Sequence, residues 1–154
     1  MRRNAKTVID TTVDELLILE GFREEPYQDT LGNLTFGHGL TWITEEESKI
    51  IVKNRVRVAF WEAAKHIGWE TFGPLNDTRK SVLIQMIFQL GSLDGWPKFC
   101  GRVKAGQWLM AADEMLYKNP PDITWSDWHT QTPSRCETLA IWMIHGEPNA
   151  RLGL

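Results

Sequence analysis

The stretch LEGFREEPYQDTLGNLTFGHGLT, residues 19–41, has few apolar residues and many residues that favour turns. Four glycines interrupt it, and the pieces between them are short. Glycines at this spacing favour tight turns between short strands. We therefore predict a small, strongly twisted antiparallel sheet over residues 26–41 and place the only sheet of the chain in its N-terminal third.

Helical patterns surround this segment. Thr12 and Glu15 have the spacing of a capping box, which predicts a short helix from Thr12 to Glu20 with Gly21 as its stop. Thr44 and Glu47 repeat that spacing and predict a long helix up to Ile67. Further helices are predicted over residues 77–90, 97–104, 107–118 and 133–144, with a turn running from Asp122 towards Trp128.

The predicted fold class is therefore α+β and mostly helical. We expect one domain of two lobes, consistent with a length of 154 residues. Residues 1–11 are predicted to form an arm, 12–43 a sheet lobe, 44–68 a linking helix and 69–154 a helical lobe. The helix over residues 77–90 is apolar nearly all round and is expected at the centre of the helical lobe.

Composition excludes several function classes. The formal net charge of −3 argues against a nucleic-acid-binding protein, which normally presents a basic stripe. The N-terminus lacks the apolar core of a signal peptide, and no run of about 18 apolar residues predicts a membrane span. Cys100 and Cys136 are expected to be buried thiols rather than a disulfide. The four histidines show no metal-ligand spacing, and no metal or organic cofactor is implied.

Glu20 is placed where a helix rarely carries an acid. The C-terminal end of a helix has partial negative charge, which disfavours an ionised carboxylate and favours the protonated form that a general acid requires. The alternative is a solvated glutamate at a frayed helix end.

Asp29 and Thr35 become candidate site residues when they are considered together with Glu20. Asp29 falls in a natural turn, where its side chain could simply bond the turn backbone, and threonine is common in strands. Two carboxyl groups on adjacent elements are nevertheless what glycosidic cleavage needs. One acid protonates the leaving oxygen, while the other activates water or stabilises the positive sugar ring.

These residues resemble a known family. EGFR at residues 20–23, Asp29 and LTFGHG at residues 34–39 look like the active-site region of the T-even bacteriophage lysozymes, glycoside hydrolase family 24. The resemblance continues in RKSVLIQMIFQLG (residues 79–91) and HTQTPSRCETLAIWMIHG (residues 129–146) and covers the chain from about residue 13 to 146.

The resemblance implies a muramidase that hydrolyses the β-1,4 bond between N-acetylmuramic acid and N-acetylglucosamine. It implies Glu20 as the general acid, Asp29 as the second carboxylate and Thr35 as the residue that positions water. Members of the family typically invert configuration, with the active-site cleft between the two lobes.

Supporting residues follow from the same match. The family places an arginine at the position of Arg135 to pair with the catalytic glutamate, and Gln89 is expected beside the cleft. The substrate-binding positions implied by the match are Leu40, Phe88, Arg102 and Glu114. For Phe88 the alternative is ordinary core packing.

Among the places where the chain departs from the family, two affect the expected site. His38 lies between two glycines, whereas many relatives have the histidine after the second glycine, so no role is carried over to it. The segment over residues 119–130 is longer than usual and adds Trp125 and Trp128. These side chains are expected either to extend a sugar-stacking surface or to pack in the core or a lid.

The biological setting expected from the resemblance is a monomeric phage endolysin with peptidoglycan as its substrate. It would remain in the host cytoplasm, cross the membrane through a holin and act on the cell wall in the periplasm. The alternatives are a wall-degrading domain of a phage virion protein, a lytic transglycosylase and a non-catalytic peptidoglycan-binding module.

Overall fold

The computed structural model describes the backbone of residues 8–148 and the side chains of residues 13–148. The described part is α+β and mostly helical, which confirms the predicted fold class. Its helices are α1 (Val8–Glu20), α2 (Glu45–Ile67), α3 (Trp69–Phe72), α4 (Asp77–Leu90), α5 (Pro97–Lys104), α6 (Trp108–Leu116), α7 (Asp127–Gln131) and α8 (Pro133–His145). Its strands are β1 (Arg23–Gln28) and β2 (Leu34–Gly37).

The chain divides into two compact units, residues 1–50 (unit 1) and residues 51–154 (unit 2). In unit 1, β1 and β2 pair antiparallel, with Tyr27 opposite Thr35 and an irregularity between Arg23 and Tyr27. A bulge of this kind bends a strand and increases its twist. The predicted small antiparallel sheet is confirmed.

Helix α1 begins earlier than the sequence predicted. Residues 8–11 are already helical, so Thr12 lies inside the helix and is not its N-cap. The prediction relied on a capping pattern, but no glycine or proline separates residues 8–11 from the rest of the helix. Of the predicted N-terminal arm, residues 8–11 therefore belong to α1, and residues 1–7 lie outside the described residues.

The second capping box is confirmed. The Thr44 backbone N–H donates to Glu47 Oε2 at 2.8 Å, and the Glu47 N–H donates to Thr44 Oγ1 at 3.2 Å. These reciprocal bonds satisfy two N–H groups that the first turn of α2 leaves without helical partners. Gly68, with φ of +87°, ends the helix after Ile67 as predicted.

The hydrophobic core lies within unit 2. Helix α8 packs against α4, α6 and α7, and α5 packs against α6. Helix α4 contributes four buried side chains, which supports its predicted central place: Val82, Leu83, Met86 and Ile87. Every fully buried apolar side chain of the described residues lies between Ala59 and Met143.

The two cysteines are buried free thiols, as predicted. Burial raises the pKa of the Cys136 thiol to about 12, and burial also raises the pKa of Cys100. Both thiols are therefore protonated and unreactive at neutral pH. Among residues 8–148, no helix has the length and apolarity needed to cross a bilayer.

The chain around residues 119–130 folds back through a bridge between Tyr117 and Trp125. Trp128 is 2% exposed and packs edge-to-face on Trp96, so it is a core residue. Trp125 is 46% exposed and stacks on both Tyr117 and His129. Of these two tryptophans, only Trp125 is therefore partly exposed, and its ring is already stacked on two neighbouring side chains.

Candidate active site

Glu20 is the last residue of α1, and its side chain is exposed. Its carboxyl group lies against the backbone of Gly39. A Cβ atom on residue 39 would be 2.5 Å from Glu20 Oε2 and 2.9 Å from Glu20 Cδ, so a larger residue at this position would displace the carboxyl group. Within residues 13–148 no hydrogen bond to the Glu20 carboxyl group is formed.

The loop that carries Gly39 is closed by two backbone hydrogen bonds. The Phe36 N–H donates to Leu40 O at 2.8 Å, and the Leu40 N–H donates to Phe36 O at 3.0 Å. Gly37 and Gly39 inside the loop have φ of +60° and +74°, which favour glycine. The position of Gly39 beside the acid was not predicted, although the closely spaced glycines of FGHG were a signal of a tight loop.

Asp29 occupies the turn between β1 and β2 and binds that turn through its side chain. Its Oδ1 accepts from the N–H groups of Leu31 and Asn33, each at 2.8 Å, and its Oδ2 accepts from Asn33 Nδ2 at 3.1 Å. These bonds, with the Asn33 side chain first, hold the pKa of Asp29 below its ordinary value. Asp29 is therefore ionised at neutral pH and suits a base or a charge-stabilising group rather than an acid.

Thr35 faces Tyr27 across the sheet and is 3% exposed. It is the single buried residue among the described side chains of unit 1. Its hydroxyl donates to Asn33 O at 3.2 Å. Asn33 thus joins Thr35 to Asp29, although a role of Thr35 in positioning water stays a prediction.

Gln89 and Arg135 contact each other in unit 2. Arg135 Nη1 donates to Gln89 Oε1 at 3.2 Å, and Gln89 Nε2 donates to Thr132 Oγ1 at 3.0 Å. Both the oxygen and the nitrogen of the Gln89 amide group are thus hydrogen-bonded, as expected for a polar side chain on the apolar helix α4. The expected pairing of Arg135 with the catalytic glutamate stays a prediction.

Phe88 and Leu40 both expose part of their apolar side chains. Phe88 is 40% exposed, which excludes full core packing, and Leu40 is 48% exposed. Within unit 2, Phe88 and Arg135 line a groove of about 210 Å³ with Val52, Val56 and Ile84. This groove combines an apolar wall with a cation, a surface that fits an amphipathic ligand.

Arg102 and Glu114 are neighbours in unit 2. Arg102 Nε lies 3.8 Å from Glu114 Oε1, while Arg102 Nη1 donates to Gln107 Oε1 at 3.0 Å. Four of the predicted site residues therefore belong to unit 1 (Glu20, Asp29, Thr35 and Leu40). The other five belong to unit 2 (Phe88, Gln89, Arg102, Glu114 and Arg135).

No protein-family model matches the chain, and no curated protein matches it either. The resemblance to the T-even lysozymes stays a prediction that rests on residue patterns.

Proposed function

We propose that this protein is a muramidase, a peptidoglycan hydrolase that cleaves the β-1,4 bond between N-acetylmuramic acid and N-acetylglucosamine. The observation that carries the proposal is the contrast between two carboxyl groups of unit 1. Asp29 receives three N–H donors, whereas Glu20 receives none from residues 13–148. Titratable groups in unlike surroundings are the usual basis for dividing acid and base roles.

In the proposed mechanism, Glu20 donates its proton to the glycosidic oxygen as the bond to the anomeric carbon breaks. Asp29 remains ionised, accepts a proton from the attacking water and directs that water to the anomeric carbon. Both sugar products leave with complete hydroxyl groups, and a proton returns from Asp29 to Glu20 through solvent. Inversion of configuration requires the two carboxyl groups about 6.5–9.5 Å apart, so that a water molecule fits between them.

The role proposed for this muramidase is that of a monomeric phage endolysin that acts on the host wall after passage through a holin. Wall degradation as part of a virion is the alternative setting. Immunoblotting of purified virions separates them, because an endolysin is absent from washed particles, while a virion component copurifies with them.

The decisive experiment is mass spectrometry of the soluble products from purified Gram-negative peptidoglycan. Wild type is compared with Glu20→Gln and Asp29→Asn, and Glu25→Gln serves as the control because Glu25 is an exposed carboxylate of β1. We expect muropeptides with reducing muramic-acid ends from wild type and from the control. Each active-site variant should lose about 10²–10⁴-fold in rate, the usual contribution of acid–base catalysis.

Other product patterns would contradict the proposal. Anhydro-muramic ends would identify a lytic transglycosylase and remove the role of Asp29 in activating water. Full activity of Glu20→Gln would refute the assigned acid. Absence of products from wild type, together with cosedimentation with peptidoglycan, would identify a non-catalytic binding module.

A further inference from the structure

A cavity of about 430 Å³ lies wholly within residues 95–128 of unit 2. It is bordered by the start of α5, the end of α6 and the start of α7. Its volume falls in the range of pockets that hold small ligands, about 300–1,000 Å³. The side chains that matter for its chemistry are those of Trp96, Lys98, Glu114, Tyr117, Lys118 and Asp127.

Glu114 is a largely buried acid with few partners. Its side chain is only 10% exposed, and its one ion-pair partner among residues 13–148, Arg102, lies 3.8 Å away. That distance exceeds a hydrogen bond, and Arg102 already donates to Gln107. A carboxylate can accept about four hydrogen bonds. Glu114 therefore has unused acceptor capacity at the cavity.

The remaining charges of the cavity are divided between a pair and a single cation. Lys118 Nζ and Asp127 Oδ1 lie 2.7 Å apart and neutralise each other. Lys98 is exposed and forms no ion pair with any residue in 13–148. The cavity thus offers one poorly paired anion and one cation without a carboxylate partner, beside the aromatic side chains of Trp96 and Tyr117.

We propose that this cavity binds the zwitterionic group of an α-amino acid. Its ammonium group would donate to Glu114, its carboxylate would approach Lys98, and its hydrocarbon part would lie against Trp96 and Tyr117. A simple amine would be repelled by Lys98 and a simple carboxylate by Glu114, whereas a zwitterion would meet an opposite charge at each side chain. The resemblance to phage lysozymes implied only that Glu114 contacts substrate, and this inference stands without the proposed hydrolase activity.

The same zwitterion occurs in a free amino acid and on the side chain of a diamino acid within a peptide. The first test is an NMR titration of the full chain with L-norleucine, N-acetyl-L-norleucine and L-norleucinamide. The acetyl derivative lacks the ammonium group, and the amide lacks the carboxylate. We expect norleucine to shift the indole N–H signal of Trp96, and each derivative to bind about tenfold more weakly, since each loses a charge-assisted bond.

Variants of α6 test the role of Glu114. Glu114→Gln should weaken norleucine about tenfold and leave N-acetylnorleucine unchanged, because only the ammonium contact is lost. Asp113→Asn is the matched control. It removes the neighbouring charge on α6, and Asp113 is not among the residues that line the cavity. A conserved amide spectrum in each variant confirms that the fold is intact.

A peptide containing meso-diaminopimelate identifies the source of the ligand. Tighter binding of this peptide than of norleucine would indicate a peptide-borne zwitterion, and the reverse order would indicate a free amino acid. The proposal is overturned if all three norleucine ligands bind wild type equally. It is also overturned if Glu114→Gln and Asp113→Asn behave alike, or if neither norleucine nor the peptide gives a saturable shift.

Discussion

At the scale of single residues, Asn33 organises the turn that contains Asp29. Its backbone N–H and its side-chain Nδ2 both donate to Asp29, while its carbonyl oxygen accepts from Thr35. Asn33→Ala removes the Nδ2 donor, which is the largest cause of the lowered pKa of Asp29. We predict that the pKa of Asp29 rises towards its ordinary value, as measured by ¹³C NMR titration of the carboxyl group.

The sign of the pH dependence follows from this shift. Because the folded-state pKa of Asp29 is lowered, its ionised form stabilises the folded state at neutral pH. That contribution is lost as the pH falls through the folded-state pKa. In Asn33→Ala this stabilisation should be lost at a higher pH than in wild type. The low-pH side of the pH–activity profile for the proposed reaction should shift in the same direction. Asn54→Ala, on the exposed face of α2, should leave the titration of Asp29 unchanged.

Gly39 and Gly37 form a natural pair of test and control. Both have positive φ, so alanine at either position should cost about 1–2 kcal/mol of stability through backbone strain. Only at residue 39 does the added Cβ meet the Glu20 carboxyl group, since nothing lies within 4 Å of a Cβ at residue 37. We predict that Gly39→Ala lowers the rate of peptidoglycan hydrolysis at least about tenfold more than Gly37→Ala, because the acid is displaced.

Equal losses of activity in the two glycine variants would show that the loop matters only through its backbone. Chemical denaturation of both proteins provides the comparison, because similar unfolding free energies exclude a difference in folding as the cause of a difference in rate.

At the scale of elements, hydrogen bonds from Arg79 link the start of α4 to the end of α8. Its Nε donates to Met143 O at 2.9 Å, and its Nη2 donates to Ile144 O at 2.8 Å. These carbonyl groups belong to the last turn of α8, where helical partners are missing. Lysine cannot reproduce the planar fork of arginine, so Arg79→Lys should lower the unfolding free energy by about 1–3 kcal/mol.

Urea denaturation measures this effect, with Arg57→Lys as the control. Arg57 lies exposed on α2 and, among residues 13–148, donates a side-chain hydrogen bond only to its near neighbour Asn54, so its replacement should change stability by less than about 0.5 kcal/mol. A similar loss in both variants would mean that the contacts of Arg79 with α8 contribute little.

The contrast between local and distant contacts explains which elements the sequence predicts well. Helix α4 has the predicted bounds of residues 77–90, because Asn76 caps its start and Gly91 ends it within the same stretch of chain. The hydrogen bonds from Arg79 to α8 join residues 64 and 65 positions apart, and no local sequence pattern predicts them. The short helix α3 was likewise not predicted, since its four residues are too few for a periodic pattern.

The candidate site divides in the same way. The turn bonding of Asp29 was foreseen as one of two interpretations, because it involves residues two and four positions away. Burial of the Glu114 side chain depends on tertiary packing around α6 and could not be predicted from its neighbours.

At the scale of the whole molecule, the apolar core is distributed unevenly between the two units. All fully buried apolar side chains of the described residues lie between Ala59 and Met143, whereas Thr35 is the only buried residue among side chains 13–50. A chain of fewer than about 60 residues is marginally stable even with a good core. Unit 2 thus contains the stabilising interactions that cooperative folding needs.

We therefore predict that a fragment of residues 44–154, which keeps Thr44 as the cap of α2, folds without the preceding segment. It should show a cooperative urea transition and dispersed amide signals, whereas a peptide of residues 1–43 should show neither. Met86 is completely buried in this core. Met86→Ala should lower the stability of the fragment and of the full chain by a similar amount, about 2–5 kcal/mol, because the same cavity forms in both. A fragment that gives a broad transition and poorly dispersed signals would show instead that the core of unit 2 requires residues 1–43 to reach its packed state.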